Sequence, residues 1–304
     1  MTRRRFLALG AVCLALRNRA ARAILGSAFS SLPLRVLRTA SGRIEEVPVE
    51  TYVAAVLPGE IGRRASVAAL EAQAVAARSY ALARRERHVE EGADLCDSVH
   101  CQVFRGLSSA TLETRAAARA TEGVVLVQGG RVIAAPFHAV CGGMTARPRD
   151  VWDDEEIPDL IPVADDACSG APGFAWSFSL PRRELPHLAG ELGLPSARFV
   201  EIFGRDDTGR VSMLRLAAPG GAQRVVRGFD FRKVALEIWG WDSVRSTAFE
   251  MAESRTEYFL TGRGTGHGAG MCQAGAIARA RRGESREAIL GLYYRGADIG
   301  LSSG

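Results

Sequence analysis

Residues 66–87, SVAALEAQAVAARSYALARRER, contain neither glycine nor proline and are rich in Ala, Leu, Gln and Glu. These residues favour helix, and Ser66 can supply an N-cap oxygen to the first free amides, so the stretch predicts a long helix. Just before it, Thr51 to Leu57 carries a helical pattern that stops at Pro58-Gly59, with Glu60 directly after the break. Further back, alternating apolar residues from Leu32 to Val49, interrupted at Ser41-Gly42, predict a short hairpin. On the other side, 111–121 reads as a second alanine-rich helix, and 123–140 as a strand, a Gly129-Gly130 turn and a strand with His138 near its end. Helices and short hairpins without a regular β-α-β alternation predict an α+β fold: mixed helices and short antiparallel sheets around a central cleft.

Residues 141–180 read as loop with two Asp-rich clusters, and the pattern then changes. A short helix near 182–192, strands around 198–204, 210–217 and 223–227, and a helix near 230–238 predict a smaller lobe at about 181–261, inserted into the first or adjacent to it. A Gly-rich loop, 262–270, leads into helices near 272–282 and 284–293. With 304 residues, the chain is sized for one elaborate domain or two modest ones.

Hydrophobic residues make up 47% and charged residues 24%, which excludes a disordered chain, a collagen-like repeat and a polytopic membrane protein. The net charge of +5 would suggest nucleic acid, but residues 1–23 hold six arginines and no acid. Of the 39 basic residues, 33 then remain against 34 acidic ones, so the rest of the chain has no phosphate-neutralising surplus. Arg3-Arg4-Arg5-Phe6-Leu7 opens an apolar run to Leu16, too short to cross a hydrocarbon core about 30 Å thick. Residues 1–23 therefore read as a cleavable, twin-arginine-like signal peptide with Ala21-Arg22-Ala23 at the cleavage site, followed by a domain at 24–304. The expected location is exported, in the periplasm or cell-wall space, with no transmembrane span in the mature chain.

Two thiols and two imidazoles lie close in sequence: His88, Cys96, His100 and Cys101. This is the ligand set of a closed tetrahedral zinc site, structural because no position is left for water. The alternative is a disulfide using Cys96 or Cys101 with incidental histidines. Cys141 is most simply paired with Cys168, which leaves Cys272 free. The Gly-rich stretch GRGTGHGAGMCQAGA, from Gly262 to Ala276, lacks both the strand context of a dinucleotide site and a following Gly-Lys-Ser/Thr. It reads as backbone bending closely around something, with His267 projecting from its middle and a helix N-terminus at about Cys272. Glu60 follows an apolar helix; in such a setting a carboxyl holds its proton closer to neutrality.

In order along the chain stand Val47-Pro48-Val49-Glu50-Thr51-Tyr52-Val53, Val56-Leu57-Pro58-Gly59-Glu60-Ile61 and Ala69-Leu70-Glu71-Ala72-Gln73-Ala74-Val75-Ala76-Ala77-Arg78-Ser79-Tyr80. Cys101-Gln102-Val103-Phe104-Arg105-Gly106, Phe137-His138 with Gly142-Gly143-Met144-Thr145, Gly264 to Ala276, and Ile289 to Gly296 follow. This series of blocks resembles the stage II sporulation protein D (SpoIID/LytB-type) family. The resemblance implies a lytic transglycosylase that cleaves peptidoglycan glycan strands, preferably lacking stem peptides, to 1,6-anhydro-muramic acid products. The family's catalytic acid maps onto Glu60 and its motif arginine onto Arg78, and the zinc cluster of some members looks like the His88, Cys96, His100, Cys101 set. Arg78, Tyr80, Gln102, His138, Thr145, His267 and Gln273 are then expected to line the sugar cleft.

The chain departs from the family pattern at Cys272, where Ser is common, at Ala274, where an aromatic residue is common, and at Pro158-Asp159-Leu160 in place of Pro-Tyr-Leu. The same family includes amidase enhancers, so the alternative reading is a non-catalytic glycan-binding protein that stimulates a cell-wall amidase. A zinc hydrolase would require an open coordination position.

Overall fold

The structure is a computed structural model that describes residues 33–152 and 160–302. The expected signal peptide, Pro158 and Asp159 lie outside the described residues. The fold is α+β: eight α-helices and several two- or three-stranded sheets among the described residues, none closed into a barrel. The described chain groups into two compact units, one of residues 33–64, 73–134 and 297–302, the other of residues 65–72 and 135–296.

In the first unit, strands β1 (Leu34–Arg38) and β2 (Arg43–Val47) form the expected hairpin, with Gly42 in the turn at φ +69°. Helices α1 (Val49–Glu60) and α2 (Val67–Ala83, of which residues from Gln73 onward belong here) follow, then a short strand β3 (Leu95–Cys96) that pairs parallel with β1. Residues Ala72 to Ala81 are all buried. A helix buried on every side lies inside a core, and its many alanines let neighbouring backbone approach closely. Helix α3 (Leu112–Ala120) starts at Thr111, whose hydroxyl accepts the Thr114 N–H at 3.3 Å while the Thr114 hydroxyl accepts the Thr111 N–H at 2.9 Å. Strands β4 (Val124–Gln128) and β5 (Arg131–Val132) form a hairpin, and the C-terminal strand Asp298–Leu301 pairs antiparallel with the other edge of β4.

Helix α1 does not stop at Pro58-Gly59 as its pattern suggested. It ends at Glu60, where the Ile61 N–H closes the last turn on the Leu57 carbonyl at 3.0 Å. A proline this close to a helix end removes a single backbone donor, and the final turn tolerates that loss. Gly59 has a specific role: a Cβ there would stand 2.8 Å from the Val103 carbonyl oxygen and 2.9 Å from its Cγ1, so only glycine lets the 103 segment rest on the helix end.

In the second unit, short strand β6 (Phe137–His138) lies at the end of the stretch read as strand, and β7 (Gly143–Met144), β8 (Ala164–Asp165) and the single-turn helix α4 (Pro148–Val151) occupy the stretch read as loop. Strand β9 (Ala175–Pro181), helix α5 (Leu185–Glu191), strands β10 (Phe199–Arg205), β11 (Val211–Ala217) and β12 (Gln223–Arg227), and helix α6 (Gly228–Trp239) come next. Strands β13 (Phe249–Glu253) and β14 (Glu257–Arg263) were not legible in the sequence; with β9 they make a sheet in the order β13-β14-β9. One hydrophobic core joins this sheet, the β10-β11-β12 sheet and both helices, and all its buried members fall between Trp176 and Leu260. Strand β15 (Met271–Cys272) pairs parallel with β6, and helices α7 (Gln273–Arg281) and α8 (Arg286–Tyr293) end the unit. The two parallel pairs, β1 with β3 and β15 with β6, depart from the expected all-antiparallel sheets.

Arg78, on α2, has no exposed surface. Its Nε and Nη2 donate to the two Glu50 carboxylate oxygens at 2.8 and 2.5 Å, and its Nη1 and Nη2 donate to the Val124 and Ala118 carbonyls at 3.0 and 3.2 Å. One guanidinium thus ties together α1, α2, the end of α3 and the start of β4. Arg78 was expected to line a sugar cleft; its planar set of donors is instead engaged within the protein, and it acts as a cross-link. Replacing it with Met would strand a carboxylate and buried carbonyls, so Arg78→Met is expected to destabilise the chain by about 3 kcal/mol or more, read as a fall in the urea midpoint.

Candidate functional site

Glu60 closes α1 half-buried, and its Oε1 accepts the Val103 N–H at 2.6 Å. The segment that supplies this amide is itself anchored. The Phe104 N–H donates to the Asp97 carbonyl at 3.2 Å, the Arg38 Nη1 donates to the Phe104 carbonyl at 2.9 Å, and the Phe104 ring stacks on Tyr52 with centroids 5.4 Å apart. Gln102 is buried and satisfied: its Oε1 accepts from the Tyr52 hydroxyl at 3.0 Å and its Nε2 donates to the Ala77 carbonyl at 3.3 Å. Tyr80 is nearly buried, its hydroxyl accepting from Arg87 Nη1 at 2.5 Å.

The same segment begins at the His/Cys cluster. The structure brings one ligand atom from each of His88, Cys96, His100 and Cys101 within 4.8 Å of all the others. His88 Nε2 stands 3.2 Å from His100 Nδ1, and Cys101 Sγ stands 3.5 Å from His88 Nε2 and 3.6 Å from His100 Nδ1. Cys96 Sγ lies 3.7 Å from His100 Nδ1. For zinc bonded at about 2.3 Å to sulfur and about 2.05 Å to nitrogen, the edges of a tetrahedron are about 3.3 Å between nitrogens and about 3.6 Å between nitrogen and sulfur. The observed separations match those edges. The Cys96 thiol is pulled down to about 3, chiefly by its contact with Cys101, and the same contact pushes the Cys101 thiol up.

In the second unit, the Gly-rich stretch wraps two imidazoles. His138 is buried; its Nδ1 donates to the Ala269 carbonyl at 3.0 Å, and its Nε2 has no hydrogen-bond partner among the described residues. His267, half-buried, accepts the Ala269 N–H on Nδ1 at 3.1 Å, with its ring centroid 5.6 Å from that of His138 and 4.6 Å from that of Trp152. Glycine is required here: at Gly270, with φ +71°, a Cβ would stand 1.9 Å from the Pro136 carbonyl oxygen. Thr145 is buried and accepts the Val163 N–H at 2.7 Å, and Gln273 is buried at the start of α7. Cys141 and Cys168, expected as a pair, are free thiols with sulfurs 3.2 Å apart, and Cys272, expected to stand alone, adjoins them.

Residues 38–128 match the SpoIID family model, described as stage II sporulation protein, and this span contains α1, α2 and the whole His/Cys cluster. An uncharacterized protein of Brachyspira hyodysenteriae is 30% identical over 263 residues, covering 84% of this chain and 67% of that protein. The chain belongs to the SpoIID family. Another member, the stage II sporulation protein D of Bacillus amyloliquefaciens, is 27% identical over 286 residues, covering 89% of this chain and 79% of that one. The amidase enhancer of Bacillus subtilis is 26% identical over 289 residues, covering 80% of this chain, which spans only 39% of the enhancer's length.

In this SpoIID-family chain, sequence reading missed Val103, whose backbone amide holds Glu60, and Trp152, whose ring faces His267. A backbone donor has no side-chain signature, although Gly59 beside Glu60 marked a close approach.

Burial holds His138 down to about 3 and also lowers His267, which is further disfavoured as a cation by its His138 neighbour. Both rings are therefore neutral in the folded state near neutrality. Between the ordinary value of 6.5 and about 3, the unfolded chain binds protons that the folded chain refuses, so stability rises with pH across that window and is lost as pH falls. The urea midpoint is expected to hold steady above about pH 7 and to decline below about pH 6.5, with His138→Gln showing a shallower decline.

Proposed function

We propose that the protein is an exported lytic transglycosylase that cleaves peptidoglycan glycan strands, preferably those lacking stem peptides, with Glu60 as its general acid and base. The observation that carries this reading is the placement of Glu60: a half-buried carboxyl at a helix end, with one oxygen held by the Val103 amide at 2.6 Å. Membership of the SpoIID family, and similarity to an amidase enhancer and to stage II sporulation protein D, support a role in the cell wall. No helix among the described residues is long and apolar enough to cross a membrane.

Transfer to an internal nucleophile needs only one carboxyl. Protonated Glu60 gives its proton to the glycosidic oxygen as the bond from the muramic acid anomeric carbon to that oxygen breaks. The resulting carboxylate then takes the proton from the same sugar's 6-hydroxyl as that oxygen closes on the anomeric carbon. The product is a 1,6-anhydro ring; no water is consumed, and Glu60 ends protonated as it began. Val103 fixes the carboxyl's orientation through both steps. His88, Cys96, His100 and Cys101 would hold a structural zinc ion, which would supply cross-linking and no reacting group.

An amidase enhancer that binds glycan and stimulates a partner amidase is the second reading. It is favoured by the burial of Arg78, Gln102 and Thr145, whose polar atoms are engaged within the protein instead of being presented to a sugar.

Mass spectrometry of soluble products from peptide-free glycan strands separates the two readings. Anhydro-muramyl products from the parent, reduced by about a hundredfold or more in Glu60→Gln, are expected; glycan binding with no product from either protein would establish the enhancer. Independently, chelator treatment is expected to lower the melting temperature of the parent by more than that of a His88→Ala variant, which starts lower.

A further inference from the structure

We propose that Cys141, Asp165, Cys168 and Cys272 form a second metal site, a buried Cys3Asp centre for a thiophilic divalent cation such as zinc. One ligand atom from each lies within 4.8 Å of all the others, and all four residues are buried. They come from four places: the residue after a bridge at Val140, the end of β8, the following turn, and the end of β15, where Cys272 caps α7. Nothing in local spacing unites them, yet the fold directs all four donors to one point.

Geometry favours a metal over a disulfide. Cys141 and Cys168 sulfurs stand 3.2 Å apart, and Cys141 Sγ stands 3.9 Å from Asp165 Oδ2. Tetrahedral edges around zinc are about 3.8 Å between sulfurs and about 3.5 Å between sulfur and oxygen, while a disulfide requires about 2.05 Å. The sulfurs are therefore closer to the spacing of metal ligands than to a bond. A disulfide would also leave the Cys272 thiol and the Asp165 carboxylate beside the pair without a part in the bond.

The surroundings are those of anionic ligands. Cys272 Sγ accepts the Cys141 N–H at 3.2 Å and the Gly275 N–H at 3.3 Å, at the N-terminus of α7. Asp165 is oriented by the Tyr293 hydroxyl on Oδ2 at 2.5 Å and by Arg279 on Oδ1 at 2.9 Å, as an outer shell orients a ligand. A Cβ at position 275 would stand 2.2 Å from Asp165 Oδ2 and 2.1 Å from the Tyr293 hydroxyl, so Gly275 keeps that contact possible.

Arg210 supplies a separate observation. Its side chain is buried, donates to the Cys141 and Met144 carbonyls at 2.6 and 3.0 Å, and leaves Nε and Nη1 without a hydrogen-bond partner among the described residues. A buried guanidinium whose side chain is bonded only to carbonyls needs negative charge nearby; Asp206 supplies the larger part, and thiolates at Cys141 and Cys272 would add to it. The negative charge of three thiolates and the Asp165 carboxylate would be offset mainly by the dication, with Arg279 on Asp165 and Arg210 nearby contributing. With four protein ligands the coordination is closed, and the ion would pin the 141–145 segment, the 165–168 turn and the start of α7 to one another.

The test uses the full chain carrying His88→Ala and Cys101→Ser, so that the other cluster contributes no metal, purified under reducing conditions and analysed for metal content. One equivalent of zinc is expected, and Co2+ exchanged for it should give intense thiolate-to-cobalt charge-transfer absorption. Adding Cys272→Ser, an isosteric change, should lower retained metal at least tenfold while circular dichroism stays unchanged. If that variant does not fold, Cys168→Ser, in the turn after β8, takes its place with the same expectation. Absence of metal in the His88→Ala, Cys101→Ser chain, unchanged metal content after Cys272→Ser, or recovery of Cys141 and Cys168 as a disulfide-linked peptide would each overturn the proposal.

Discussion

A cation with no access to water must find its counter-charge and its hydrogen-bond acceptors inside the protein, and Arg78 imposes that requirement on the first unit. Its partners are a carboxylate in the first turn of α1 and carbonyls at the end of α3 and the start of β4. These elements can satisfy the guanidinium only in one mutual arrangement. Ser79, next along α2, adds a second tie, accepting the Leu126 N–H from β4 at 2.8 Å. The arrangement so specified sets the position of α1, and therefore of the carboxyl at its far end.

At that far end, the geometry depends on backbone as much as on side chains. Gly59 permits the 103 segment to rest against α1, and the Val103 amide then meets Glu60. The segment starts at Cys101, a member of the His/Cys cluster, so a metal held there would stiffen the same backbone that orients the carboxyl. The His/Cys cluster and Glu60 are in this sense linked through one short stretch, residues 96–106. In the second unit the thiol cluster bears a similar relation to the Gly-rich stretch: Cys272 caps the helix that follows His267.

Much of the architecture was legible because its determinants are local. The helices at Val67–Ala83 and Leu112–Ala120, the Ser41-Gly42 hairpin and the β10-β11-β12 meander follow from propensity and turn chemistry within a few residues. Strands β9, β13 and β14 were harder: β9 pairs with β14 across about seventy to ninety residues, and β13 and β14, though a local hairpin, are rich in charged or polar residues on their outer face. Arg78 shows how a motif residue can mislead: a charged residue on an alanine-rich helix suggests a ligand, and only burial shows that it binds the protein itself.

The sequence alone determined the elements, the family resemblance and the His88, Cys96, His100, Cys101 group, because ligands within fourteen residues of one another need little folding to converge. Tertiary structure decided which polar side chains face inward, which backbone amide meets Glu60, and that Cys272 joins Cys141, Asp165 and Cys168 across 131 residues of chain. The physical reason is range. Propensity, capping and periodicity act over a few residues and leave a local pattern, whereas burial and the convergence of distant donors arise only when the whole chain packs.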